Sequence, residues 1–187
     1  MDLPATCGLS ISTPVMPGTL NSYFDVDLTG CGSGFDLYDG KWPGWCIDYL
    51  GEISLGSYVM EVYSSLYEDL FPQHVTDLGI RWDRVNWLMN NLDWYEDQMD
   101  PDEYFYVQQA LWKIATNDPA FVHANTIPPP DLPVPDGGQL SIDMYNDAVD
   151  YGSGFVPLPG YWAAVIFYDT DVTANPRTQV IFTMVDP

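Results

Sequence analysis

The 187-residue chain predicts an α+β, mainly β fold: a β-sandwich, or a barrel-like pair of sheets, with an inserted helical subdomain. Three observations predict it. Stretches near both ends alternate apolar and polar residues, or run apolar over strand-like lengths. The middle switches to helical spacing. The last two strand-like stretches need partners, which the early ones can supply. The reading is one domain over 1–187. Its strands fall in 1–66 and 157–187, and 67–156 is a helical insertion with connecting loops.

The elements follow in order. Residues 1–21 are rich in Pro, Gly, Ser and Thr and read as an extended segment with a short strand at Leu9–Ser12. Ser22–Leu28 alternates Tyr23, Asp25 and Asp27 against Phe24, Val26 and Leu28, as a half-buried strand does. Cys31-Gly32-Ser33-Gly34 is a turn. Asp36–Gly44 reads as a loop and Trp45–Leu50 as the next strand. Tyr58–Leu66 alternates and is read as a strand, with a helix as the alternative. From Ile80 to Leu92 the period becomes helical, through Trp82, Val85, Leu88, Met89 and Leu92. A second helix starts with Asp100 as cap, Pro101 at its first position and Glu103 closing a capping box. It ends near Thr116, before Asn117-Asp118-Pro119. A proline-rich connector spans 128–138. A third helix covers Ser141–Tyr151, and strands return at Tyr161–Tyr168 and Thr178–Val185.

Composition narrows the function. The chain is 47% hydrophobic and 15% aromatic, which suits a packed core. Acidic residues number 27 against two lysines (Lys41, Lys113) and three arginines (Arg81, Arg84, Arg177), for a net charge of −22. That charge repels nucleic acid and anionic membrane surfaces and attracts cationic partners. It equally suits a solubility or high-salt adaptation. No apolar run approaches the roughly 20 residues of a membrane span. No basic-then-apolar leader opens the chain, so an export signal and an anchor are expected in parts of a parent chain outside this sequence.

Three cysteines make an odd count. Cys7 and Cys31 flank the first strand-like region and are candidates for a disulfide, leaving Cys46 as a free thiol. Three reduced, buried thiols are the alternative. Cys46 lies in Gly44-Trp45-Cys46-Ile47-Asp48, a short apolar run. On the second helix two glutamines are adjacent, and helix geometry separates them. Residues three and four from Gln108 are Tyr104, Phe105, Leu111 and Trp112. Those of Gln109 include Lys113, so its face turns towards a charge. Gln108 is the better inward-facing residue. A buried carboxamide must be hydrogen-bonded or it costs roughly 1–3 kcal/mol. It either bonds main-chain groups or is consumed chemically.

At these residues the sequence resembles the thioester domains of bacterial surface adhesins. Trp45-Cys46-Ile47-Asp48 resembles the family's aromatic-Cys strand motif. Val107-Gln108-Gln109-Ala110-Leu111-Trp112 resembles its Thr-Gln-x-Ala-Ile-Trp motif, with Val for Thr and Leu for Ile. Val85-Asn86-Trp87-Leu88-Met89-Asn90-Asn91 resembles the apolar helix between them, ending in paired asparagines. The resemblance covers about Asp39 to Val185. It implies an internal thioester between Cys46 Sγ and the Gln108 side-chain carbonyl, in a β-sandwich with a helical subdomain. It further implies single-turnover covalent capture of an amine on a host or neighbouring-cell partner, not catalysis. No cofactor and no metal enter. The module would be an extracellular monomer within a larger anchored chain, without direct contact to membrane or nucleic acid.

Asp48 and Glu103 are the candidate proton carriers, and a tyrosine is the expected oxyanion donor. Asp48, two residues from Cys46, should face the same side of its strand. Trp42, Trp45 and Trp112 are candidates to shield the bond from water, or are ordinary core rings. Two other functions compete. One is a cysteine hydrolase with Cys46 as nucleophile and His74 or His123 as base. The other is a non-covalent glycan- or peptide-binding β-sandwich using exposed aromatics. Asp25 with Asp27, or Asp97, Asp100 and Asp102, form acidic groupings without EF-hand spacing and read as a solvated face.

Overall fold

The computed structural model describes residues 1–11, 22–53, 56–99, 104–122, 138–169 and 178–187. Six strands form one closed antiparallel barrel: β1 (Thr6–Ile11), β2 (Phe24–Thr29), β3 (Gly40–Cys46), β4 (Gly56–Ser64), β5 (Ala163–Asp169) and β6 (Ile181–Val185). Around the barrel the order is β1-β2-β3-β6-β5-β4, with β4 returning to β1. The two strands from the end of the chain thus sit between β3 and β4. Closure leaves no unpaired edge along the sheet. The alternation in the sequence sets the inner face. Cys7, Leu9 and Ile11 of β1 point inward with Phe24, Val26 and Leu28 of β2. Met60 and Val62, Val165 and Phe167, and Ile181 and Val185 complete the inner core.

Between β4 and β5 run the helices: α1 (Gln73–Thr76), α2 (Trp82–Asn90), α3 (Phe105–Thr116) and α4 (Gln139–Tyr151). They cover the outer face of the barrel at β3, β5 and β6. A second core lies there, with Trp45, Ala164, Ile166, Phe182 and Met184 against Val85, Leu88, Leu111 and Met144. This is why β5 and β6 are buried on both faces and read as continuous apolar runs. The asparagines of α2 fasten it to β5. Asn86 Oδ1 accepts the Ala164 N–H at 2.9 Å, and Asn86 Nδ2 donates to Ser65 Oγ at 3.0 Å. Asn90 accepts the Trp162 N–H and donates to the Trp162 carbonyl, both at 2.7 Å. Asn91 turns back onto the Trp87 carbonyl of its own helix.

β1 starts three residues before the expected Leu9 and β6 three after the expected Thr178, and β3 departs furthest from its expected span. β3 begins at Gly40 and ends at Cys46, so the stretch expected to be a loop is most of the strand and Ile47–Leu50 lies beyond it. Pairing with β2, from Leu28↔Gly40 to Phe24↔Gly44, holds the early part in place. Gly44 is needed there, since a Cβ at that position would stand 2.5 Å from the Phe24 ring. Pro43 is tolerated because pairing with β6 involves only Trp45 and Cys46. The strand stops where the Asp48 carboxylate accepts the Leu50 N–H at 2.9 Å and turns the chain. The expected cap of α3 at Asp100, Pro101 and Glu103 lies outside the described residues. α3 ends at Asn117, which is left-handed with φ 52° and donates to the Ile114 and Lys113 carbonyls.

Cys7 on β1 is disulfide-bonded to Cys31, just after β2. The bridge spans 24 residues of sequence. Constraining a loop of that length is worth about 3 kcal/mol in the chain-entropy account. Urea unfolding of the Cys7→Ala/Cys31→Ala double variant is expected to show a stability loss of that order. An unchanged midpoint would mean that the barrel holds these segments without the bridge.

Candidate functional site

Cys46 is the last residue of β3 and is 3% exposed, with its side chain in the core inside the barrel. It is the free cysteine of the chain. Its main chain has one edge to fill. Ile47 donates to the Val180 carbonyl beside β6, so the N–H and C=O of Cys46 turn towards the β2 side. β2 begins only at Phe24, opposite Gly44, so no strand residue meets Cys46 there. Gln108 fills that gap from α3. The Cys46 N–H donates to Gln108 Oε1 at 2.8 Å, and Gln108 Nε2 donates to the Cys46 carbonyl at 2.6 Å. The carboxamide behaves as one residue of a missing strand, and Gln108 is 0% exposed.

The main-chain contacts satisfy the carboxamide, and they also place it against the residue that carries the thiol. A main-chain N–H aimed at the amide oxygen polarises the carbonyl and is positioned to stabilise negative charge on it. This donor has no signature in a sequence, because it belongs to the backbone. Burial, and secondarily the nearby Asp48, push the Cys46 thiol well above its usual range. The thiol is therefore neutral at ordinary pH. Asp48 is buried beyond the end of β3, its carbonyl accepting from Gln179 Nε2 at 2.6 Å. Its proximity to Cys46 comes from this turn, not from strand alternation. Gly51 makes room for it: a Cβ there would stand 2.9 Å from Asp48 Oδ2.

The other site candidates separate. Trp112, one turn after Gln108, is buried in the inner core with Cys46. Its ring stands edge-on to Tyr23 at 6.0 Å. Trp45 is buried in the outer core, against Tyr104 at 6.2 Å, and so faces away from the barrel interior. Trp42 is half-buried and packs on Tyr38 at 4.8 Å, where its Nε1 bonds the Tyr38 carbonyl. Glu103 lies outside the described residues. Gln109 corrects the helix-face argument, for it is buried too. The charge beside it, Lys113, is itself buried and donates to the Phe121 carbonyl at 2.7 Å. Burial lowers the Lys113 pKa, against the pull of Asp118.

Tyr23 was not distinguishable from the other tyrosines in the sequence. It lies next to β2, is electrostatically coupled to Cys46, and has its pKa raised by burial first and by Cys46 second. Its phenol is a protonated donor in the neighbourhood of the thiol. His74 stacks on Tyr168 at 3.9 Å in the outer layer, and among the described residues Asp48 is the charge that raises the Cys46 pKa after burial. His123 lies outside the described residues, as do Asp100 and Asp102. Asp25 and Asp27 alternate with inward residues on β2. Among the described residues no group of three His, Cys, Asp or Glu side chains is placed to hold a metal ion. Among the same residues no helix is long and apolar enough to cross a membrane.

Two solved structures are similar to this chain over nearly their whole length. One is the N-terminal thioester domain of fibronectin-binding protein SfbI from Streptococcus pyogenes, at 10% identity and TM-score 0.48, covering 96% of this chain and 92% of that one. The other is the N-terminal thioester domain of a surface protein from Clostridium perfringens, at 12% identity and TM-score 0.48, covering 95% and 97%. Both neighbours are thioester domains. They are of the kind that the Cys46 and Gln108 motifs resemble. No family model matches the chain, and no curated protein matches it. At this distance the likeness assigns no residue and no chemistry, so the functional reading stands on Cys46 and Gln108 themselves.

The raised thiol pKa has a measurable consequence. In Gln108→Met, which fills the space without an electrophilic carbonyl, iodoacetamide at pH 8 is expected to alkylate Cys46 far more slowly than a free cysteine. Adding Asp48→Asn removes the negative charge, lowers the thiol pKa and should speed alkylation. Reaction at the free-cysteine rate in Gln108→Met would contradict the site electrostatics.

Proposed function

We propose that this chain is a covalent adhesion module in which Cys46 Sγ and the Gln108 side chain form an internal thioester. The observation that carries the reading is the fully buried Gln108 carboxamide seated on the main chain of the cysteine residue. In the forming step the Cys46 sulfur attacks the Gln108 amide carbon, and charge moves to Oε1. The Cys46 N–H at 2.8 Å is the donor waiting for that charge. The thiol proton passes to the departing nitrogen, with Asp48 and Tyr23 as the nearby groups able to carry it. The C–N bond breaks, ammonia leaves, and an S–C(=O) bond remains. Enforced proximity replaces the encounter that a free thiol and a free amide would need.

The acyl group so stored is more reactive than an amide. A lysine amine on a partner attacks the carbonyl carbon, the C–S bond breaks, and the proton released by the amine returns to Cys46 as the free thiol. The partner is then held by an isopeptide bond, once per molecule. Burial inside the barrel end, behind Trp112, keeps water from the bond before capture. Lys113, one of the chain's two lysines, competes poorly because it is buried on the Phe121 carbonyl. This reading places the module outside the cell, at its surface, as a single 1–187 domain of a longer anchored chain.

Methylamine is the simplest stand-in for a partner lysine. Treating the native protein with it is expected to attach one methylamine at Gln108 and to free one thiol that reacts with Ellman's reagent once the protein is unfolded. Cys46→Ala and Gln108→Ala should gain neither. A wild-type protein that takes up no methylamine and already shows its full free thiol would count against the thioester.

A further inference from the structure

Away from Cys46 and Gln108, the helical layer exposes two large rings side by side. Trp94 is 54% exposed and Tyr151 61%. Both rest on Trp87, which is buried. The ring centroids form a triangle: Trp87–Trp94 5.3 Å, Trp87–Tyr151 5.8 Å and Trp94–Tyr151 6.3 Å. Trp94 stands at 87° to Trp87, and Tyr151 lies at 30° to it. Three separate pieces of chain build this platform: α2, the 3-10 segment Leu92–Gln98, and the end of α4. Gly152 allows the approach. A Cβ there would stand 3.0 Å from both Trp87 Cβ and Arg84 Cα, so a larger residue would push Tyr151 off Trp87.

The rim is acidic. Asp147 precedes Tyr151 by four residues on α4 and so shares its face. Its carboxylate accepts the Tyr95 hydroxyl at 2.6 Å, which pins it beside the rings. Asp93 and Asp150 are exposed and adjoin Trp94 and Tyr151 in sequence. Arg84, one turn before Trp87, gives its guanidinium to Asn117 Oδ1 at 3.0 Å. An aromatic face attracts a cation held within about 6 Å of its centroid, and carboxylates at the rim add to that attraction. A neutral sugar would use the rings but gain nothing from the carboxylates, and an anion would be repelled by both.

From this juxtaposition we propose that Trp94 and Tyr151 form a docking platform for a lysine-rich segment of a partner protein. The segment binds non-covalently through ammonium-on-ring and ammonium–carboxylate contacts. The purpose of the platform rests on the thioester reading, since it would concentrate amines at the domain before capture. The binding itself needs neither Cys46 nor Gln108.

The test therefore uses Cys46→Ala protein, which cannot acylate anything, so the platform and the thioester can fail separately. Acetyl-hexalysine amide is titrated at near-physiological ionic strength, with calorimetry and tryptophan fluorescence as readouts. Trp94→Leu and Tyr151→Leu leave the net charge of −22 unchanged, so any loss of binding reports the rings and not the overall field. Each is expected to weaken hexalysine about fivefold, and the pair more than tenfold. Tyr67→Leu, at an exposed ring elsewhere, should bind like the parent. Equal affinity in the parent and both platform variants would overturn the proposal. So would an equal loss in Tyr67→Leu, or binding of a neutral oligosaccharide at these rings without binding of hexalysine. If Trp94→Leu fails to fold, the Tyr151→Leu titration decides alone.

Discussion

A single side-chain amide completes a strand. Gln108 supplies both hydrogen bonds that the main chain of Cys46 would otherwise take from a longer β2. Nearly everything around it serves that pairing. Closure of the barrel fixes β3 between β2 and β6, and the short register of β2 leaves the Cys46 edge open. α3 is buried along almost its whole length, which prevents the helix from sliding or rotating the carboxamide away. Asn86 and Asn90 use the same device at the other end of the outer layer, where they hold the start of β5. Helix-borne amides pairing with exposed strand ends are thus how this small helical layer is registered on the barrel. A helix fastened by such directional bonds is positioned more sharply than one held by apolar contact alone.

The same geometry admits two uses of Gln108, and the chemistry distinguishes them. As a purely structural amide it would be fully satisfied. As an electrophile it has a donor on its oxygen, an acceptor on its nitrogen and a buried thiol on the residue it grips. The thiol is held neutral by burial and by Asp48, so reaction must couple sulfur attack to loss of the proton. A neutral, buried thiol is also inert towards outside oxidants and electrophiles. In the proposed function the acidic exterior and the exposed aromatic platform would act on the opposite side of the process, by drawing cationic partners to the molecule.

Much of this was legible in the sequence, and the parts that were not have physical reasons. Period-two patterns mark β2 and β4, which present one face to a well-filled interior, while β5 and β6 are buried on both faces and show as apolar runs of strand length. The middle strand was misplaced because Pro43, Gly44 and Gly40 look like loop residues. Here Pro43 is tolerated by a missing β6 partner and Gly44 is demanded by the Phe24 ring. Helix-face reasoning picked Gln108, yet it misjudged Gln109, because a helix buried all round has no polar face for a lysine to mark. Lys113 keeps its charge satisfied by a carbonyl inside the fold, a contact no spacing rule anticipates. The donor on the Gln108 oxygen is backbone and therefore invisible in side-chain patterns. Tyr23 stood among 13 tyrosines with nothing to single it out. The aromatic platform was hidden for a different reason. Its three rings come from segments that only the tertiary packing at Gly152 brings together.

The bond between Cys46 and Gln108 is most directly tested by the intact mass of freshly purified protein that has never met an amine. Formation of the bond removes one ammonia, so the mass should fall short of the value calculated for the chain with its one disulfide by that amount. Cys46→Ala and Gln108→Ala should each weigh what their own sequences predict. A wild-type protein at its full calculated mass would leave Gln108 as a structural amide and contradict the covalent reading.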